Sequence, residues 1–317
     1  MPDIANASGW NSLEDSPLGR RKYARMIAYN YHCDGVFSLF TNSEYNKEID
    51  YCNQELQFVR SFELEFMPYE DNETGVPQSA TPDAFCFRIC DAAYIRVKVD
   101  ELDERFLCER WAMWKEMFDV AVTRAWDRLL SNDIMKRLPF YASPLNKGAT
   151  AGAKSGNVNL GAPGAPVIID SNNIVSEIAK IQQVLTESCA WQKGKMMLLM
   201  PPSILPVLMD SKLANALQMG RCVECSPLMS GEWYRNMMGW DFIITNYQCV
   251  GFDATANRSV FYVTALNRDA LLFGQNLIIT RTRQGDGFYK LLEVLGVWGH
   301  KPVHPDGFAV GYWSIGA

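Results

Sequence analysis

Apolar and polar side chains alternate in two short stretches: Phe62, Leu64 and Phe66 are separated by Glu63 and Glu65, and Phe85, Phe87 and Ile89 by Cys86 and Arg88. A period of two predicts strands with one apolar face, and the pair reads as a long hairpin. Between them, Met67 to Asp83 carries Pro68, Pro77, Pro82 and Gly75, which suit a loop tip rather than a central strand. The run Tyr94 to Val99 predicts a further strand, followed by Asp100, Asp103 and Glu104, acidic residues where a helix amino terminus favours negative charge. The period then changes. Leu107, Trp111, Trp114, Phe118, Ala121, Ala125 and Leu129 recur at spacings of three or four, while Glu109, Lys115, Glu116, Asp119, Arg124 and Arg128 point elsewhere. A helix from Asp103 to Leu130 would span ~42 Å, more than twice the usual length of ~11–12 residues.

Asn146 to Pro166 is rich in Gly, Ala and Pro and has no apolar period, so it reads as a loop at a domain boundary. Beyond it, Ile174, Ile178, Ile181 and Leu185 form a helical stripe, Lys195 to Met200 a short apolar strand, and Ile204 to Met219 a helix closed by Gly220. Strands over Trp240 to Thr245 and Val260 to Ala265 complete a compact α/β unit. Asp269 to Ile279 leads back towards a carboxy-terminal stretch, Phe288 to Ile315, that ends in an alternating strand. Residues 1–54 hold a basic knot (Arg20, Arg21, Lys22, Arg25) and aromatics such as Trp10, Tyr23 and Phe37, and read as an extended arm.

At 317 residues the chain is long enough for two packed cores. Its 30 basic against 36 acidic residues give a formal charge of −6, which argues against a dedicated nucleic-acid surface but not against weak, sequence-independent contact. No stretch of ~18 consecutive apolar residues and no signal-peptide pattern is present, so a soluble chain made in the cytoplasm is expected. The nine cysteines are odd in number and scattered, and are expected to be reduced.

Chemistry-bearing motifs are few. Gly148, Gly152, Lys154 and Ser155 are similar to a phosphate-cradling loop, but Ala153 stands where the second glycine is needed. Cys222 and Cys225 have C-x-x-C spacing without a second ligand pair. His300 and His304 are four apart, yet Pro302 and Pro305 rule out a helix that would turn both to one metal. With three histidines and no nucleophile motif, no enzyme activity is expected, and no catalytic, cofactor-binding or metal residue.

The stretch Gly296, Trp298, Gly299, Lys301 and Pro305 resembles the tail of tailed-phage major capsid proteins, where a glycine-aromatic-glycine-x-lysine turn and a downstream proline join two strands. Val99 to Leu130 resembles the family's strand-to-spine-helix passage, and Asn236 to Asn246 its glycine-hydrophobic strand ending in Asn. The resemblance implies an α+β Hong Kong 97-type fold. Its parts would be an arm (1–54), an extended-loop hairpin (55–93), a peripheral domain with the spine helix (94–145 and 269–317) and an axial domain (146–268). It implies a major capsid protein, assembled in the host bacterial cytoplasm into hexamers and pentamers of a virion shell enclosing double-stranded DNA. Expected partners are a portal protein, a separate scaffolding protein and a cement protein, with non-specific contact to the packaged DNA and none to a membrane. An encapsulin-like compartment and a soluble α/β enzyme with a nucleotide loop are the alternatives. No lysine lies between Arg60 and Arg88, so the lysine–asparagine cross-link of some relatives is not expected there.

The hairpin gives an independent reason for partners. A two-stranded ribbon is marginal alone, and Phe62, Leu64, Phe66, Phe85, Phe87 and Ile89 would each forgo about 1.5–3 kcal/mol if exposed. Ser61 to Phe87 carries six acidic residues and no basic one, so its partner should be basic. Arg20, Arg21, Lys22 and Arg25 of a neighbour's arm, or Arg124 and Arg128 of its spine helix, are the expected contributors.

Overall fold

Among the described residues, three sheets and one long helix organise the fold. The computed structural model describes residues 35–47, 55–60, 83–101, 111–211 and 238–316. The arm residues Arg20, Arg21, Lys22 and Arg25, the apolar Phe62, Leu64 and Phe66, and the pair Cys222 and Cys225 lie outside the described residues. The helices are α1 (Phe37–Phe40), α2 (Trp111–Tyr141), α3 (Ile174–Glu187) and α4 (Leu205–Met209). The strands are β1 (Glu55–Arg60), β2 (Asp83–Arg88), β3 (Asp91–Asp100), β4 (Val167–Ile169), β5 (Met196–Met200), β6 (Asp241–Ile244) and β7 (Val250–Asp253). Four more complete them: β8 (Arg258–Asn267), β9 (Leu271–Gln284), β10 (Tyr289–Pro302) and β11 (Phe308–Ile315).

β1 and β2 pair antiparallel with Leu56 opposite Phe87 and Phe58 opposite Phe85. β3, β10 and β9 form an antiparallel sheet in that order, and β4-β11-β8-β5-β6 a mixed sheet with β7 beside β8. All five residues of β5 are buried. Met196, Leu198 and Met200 join the core under α3, while Met197 and Leu199 join a second core with Leu130, Ile134, Met135 and Leu138 of α2. A strand covered on both faces must be apolar throughout, which is why its sequence shows no alternation.

The four residues of the predicted stripe on α3 are all fully buried. The long helix departs from expectation. It continues to Tyr141, past the predicted end at Leu130, and includes Pro139. Proline removes the hydrogen bond to the carbonyl four residues earlier, and here the Met135 carbonyl accepts from Cys249 Sγ at 3.6 Å instead. Its buried side is Leu130, Ile134, Met135 and Leu138, whereas Ala121, Ala125 and Leu129 of the predicted stripe are exposed.

One other expectation is corrected. Gly296 to Lys301 is not a turn but the second half of β10, with a register shift between Gly296 and Val297. The turn lies at Pro305–Gly307. The last strand, β11, pairs with β4 and β8, so the segment 269–317 contributes to two sheets. Buried Asn146 holds this junction: its Nδ2 donates to the Asp306 and Phe308 carbonyls at 2.8 and 3.0 Å, and its Oδ1 accepts from Ser188 Oγ at 2.8 Å. No helix among the described residues is long and apolar enough to cross a membrane.

Candidate assembly surface

α2 lies across one face of the β3-β10-β9 sheet. Trp126 packs edge-on to Trp298, ring centroids 5.3 Å apart, and donates from Nε1 to Gln275 Oε1 at 3.1 Å. Gly296 lies directly beneath the Trp126 ring, where an added Cβ would overlap it. Strand residues alternate between faces, so Glu293 and Leu291 lie on the opposite face from Gly296. Their cross-strand partners are Arg96 and Arg281 for Glu293, and Lys98 and Arg283 for Leu291. These four cations are exposed. Glu293 is paired with Arg96 at 2.7 Å and Arg281 at 2.5 Å, and the hydrogen bond from Arg281 is the main reason its carboxyl is held below the ordinary range. Tyr94, 70% exposed, and Leu295 border the same face. The free side of this sheet is therefore basic, with an aromatic and apolar edge.

The outer stripe of the long helix is partly exposed. Trp114 and Phe118 stack at 5.6 Å and are half-buried, and Ala121, Ala125 and Leu129 continue the stripe in the open. Of the basic pair expected to meet the acidic hairpin, Arg128 is exposed and Arg124 half-buried.

The base of the hairpin belongs to the chain's own core. Phe87 and Ile89 are each 2% exposed against Leu272 and Val303, so they need no neighbour to cover them, contrary to expectation. The reason is position: β2 runs directly into β3, which carries these two side chains onto β9 and the turn after β10. Phe85 is half-buried and stacks on Phe58 at 5.3 Å. Lys301 donates to the Cys86 carbonyl at 2.7 Å, and Gly299 lets the Arg88–Ile89 backbone approach closely.

The loop similar to a phosphate cradle is already engaged. Lys154 N and Ser155 N donate to Glu187 Oε2 at 3.0 and 2.9 Å, and Ser155 Oγ donates to the same oxygen. The Ser155 N–H is the largest cause that lowers the Glu187 pKa to about 2. A carboxylate depressed from 4.5 stabilises the loop above about pH 4.5 and loses that effect as pH falls through about 2. At pH 6, Glu187→Ala should therefore raise amide exchange at Lys154 and Ser155 several-fold while leaving β8 unaffected. Unchanged exchange would mean that the loop is held by something else.

At the far end of the spine helix, Asp91, Asp133 and His300 converge. Arg137 bridges the carboxylates, to Asp91 Oδ2 at 3.2 Å and Asp133 Oδ1 at 3.1 Å. Trp298 Nε1 donates to Asp133 Oδ2 at 3.0 Å. Burial pushes the pKa of His300 down, which favours a neutral ring.

No protein-family model and no curated protein matches the chain. Solved structures do. A chain of Mycobacterium phage Che8 matches over 92% of this chain and 96% of its own, at 16% identity and a TM-score of 0.64. The capsid asymmetric unit of Cyanophage Pam1 matches over 99% of both chains at 10% identity and a TM-score of 0.67. This chain has the phage capsid fold. The capsid of an empty GTA particle matches at a TM-score of 0.58, again over 99% of both chains at 10% identity. With its long helix α2, its three sheets and the paired β1 and β2, the α+β fold is of the Hong Kong 97 type.

Proposed function

We propose that the chain is the major capsid subunit of a tailed phage, forming hexamers and pentamers that close as an icosahedral shell around double-stranded DNA. The observation that carries this is a capsid fold shared along nearly the whole chain, not in one domain. The exposed stripe on the spine helix and the basic sheet face support it, since apolar area of this kind is what subunit association buries. The subunit would be assembled in the host cytoplasm and reside in the virion, with portal, scaffolding and cement proteins as partners and only non-specific contact to DNA. No catalytic role is proposed.

Expression of the chain with its genomic neighbours, followed by size-exclusion chromatography and negative-stain imaging, tests this. Shells filled with DNA are expected. A monodisperse monomer at high concentration would remove the reading, and small shells filled with protein would point to a cargo compartment.

The acidic hairpin of one subunit is proposed to meet basic side chains of another. The sheet face offers Lys98 and Arg283 as an alternative to the arm residues Arg20, Arg21, Lys22 and Arg25, with rim pairs worth ~0–1 kcal/mol each. Charge reversal at Lys98 and Arg283 leaves the pairs to Glu293 in place and should slow assembly, with a loss that shrinks as salt rises. Reversal of the four arm residues is the comparison. Whichever set leaves both assembly and its salt dependence untouched is not the partner.

A further inference from the structure

The group at the carboxy-terminal half of the spine helix has a geometry that its hydrogen bonds do not explain. Asp91 opens β3, Asp133 lies on α2 and His300 is near the end of β10, and one ligand atom from each lies within 4.8 Å of the others. The His300 side chain is wholly buried, and neither Nδ1 nor Nε2 has a hydrogen-bond partner. Buried polar atoms are almost always satisfied, so an imidazole with both nitrogens unpaired calls for a ligand. Its Nδ1 stands 3.8 Å from Asp133 Oδ2. That is too long for a hydrogen bond, yet close to the ~3.4 Å that separates two ligands of one tetrahedral ion with bonds of ~2.0–2.2 Å.

We propose that Asp91, Asp133 and His300 bind a divalent transition-metal ion of zinc(II) type, with Arg137 as the resident cation that leaves when the metal enters. One imidazole and two carboxylates leave a fourth position for water, and the imidazole disfavours calcium or magnesium. Trp298 Nε1, on Asp133 Oδ2 at 3.0 Å, supplies the outer hydrogen bond that orients a ligating carboxylate. Arg137 bridges both carboxylates, so it occupies the electrostatic place of the ion. Its side chain is 47% exposed, so it can swing into water without crossing the core. The exchange replaces one positive charge by two and leaves the two carboxylates balanced. The site would tie the start of β3, just past the hairpin base, to the spine helix and the closing strand. None of this depends on the capsid reading: a monomeric chain with these residues would bind the ion equally.

Along the chain, the only histidine near His300 is His304. The two carboxylates come from positions 91 and 133, far away along the chain, and only the fold brings them together.

The test is calorimetric titration of zinc(II) alone into the reduced full-length chain at pH 7.5, in the wild type, His300→Gln, Asp133→Asn and Arg137→Gln. The cysteines are common to all four, so differences report this site. Loss of one equivalent, or weakening by at least ~10-fold, is expected in His300→Gln and Asp133→Asn. Binding about tenfold tighter is expected in Arg137→Gln, which removes the competing cation. A purely structural ion-pair cluster predicts lower stability in Arg137→Gln with no gain in zinc affinity, and that result overturns the proposal. If His300→Gln fails to fold, Arg137→Gln decides alone: tighter binding supports the site, and unchanged or weaker binding removes it.

Discussion

Truncating Trp313 to alanine is expected to lower the stability of the unassembled subunit by about 3–5 kcal/mol. The shift should be read from the urea midpoint at unchanged slope. Trp313 is fully buried on β11, paired with Val167 on one side and Phe261 on the other, and packs in the core beneath α3. Gly311, two residues earlier on the same face, leaves room for the indole: an added Cβ there would stand 2.6 Å from Trp313 Nε1. That nitrogen is buried without a partner, so the side chain stabilises by packing and not by its polar group. Trp313→Phe should accordingly cost only about 1–2 kcal/mol, the smaller ring losing contact but also removing an unpaired donor. Equal losses in the two variants would show that the N–H, not the packed ring, is what matters.

Burial decided which parts of this fold could be read from residues alone. The α3 stripe of Ile174, Ile178, Ile181 and Leu185 faces one core, and the apolar run of β5 lies between two, so pattern and environment agree. The spine helix is different because it is apolar on more than one side. Which stripe meets a sheet is settled by tertiary contact, and the inner one begins at Leu130, where the visible stripe ends. Pro139 lies inside this helix. It is tolerated because Cys249, distant in the chain, meets the carbonyl that proline leaves free. Glycine misled in the same way at Gly296 and Gly299. Neither makes a turn; both permit close approach, to the Trp126 ring and to the Arg88–Ile89 backbone.

The candidate surfaces were legible only where they are local. Ser61 to Phe87, with six acidic residues and no basic one, is a contiguous signal that raises the question of a basic partner. The sheet face that offers itself draws Arg96 and Lys98 from β3 and Arg281 and Arg283 from β9. No window of sequence contains both pairs, and a register error of one residue would have placed them on the side covered by the spine helix. Phe87 and Ile89 show the converse. Their alternation is that of an exposed ribbon, but Leu272 and Val303, supplied from far along the chain, already cover them.

Gly296→Ala is expected to cost about 2–4 kcal/mol, although alanine is the smallest change available. Its methyl group would overlap the Trp126 ring, and that ring cannot yield freely: it is held edge-on to Trp298 and by the hydrogen bond from Nε1 to Gln275. Overpacking of this kind costs ~1–3 kcal/mol, and breaking the hydrogen bond adds ~0.5–1.5 kcal/mol. Trp126→Leu removes the obstacle, so a double-mutant cycle separates contact from backbone strain. If the clash is the cause, Gly296→Ala becomes nearly neutral in the Trp126→Leu background, so the coupling equals its whole cost, ~2–4 kcal/mol. Full additivity would assign the loss to the register shift at Gly296 and Val297 instead. Because the same helix carries exposed Ala121, Ala125 and Leu129, the cycle also separates folding from assembly. The double variant should unfold near the Trp126→Leu midpoint, and any further defect in shell formation would then lie in how the spine helix is presented to its neighbour.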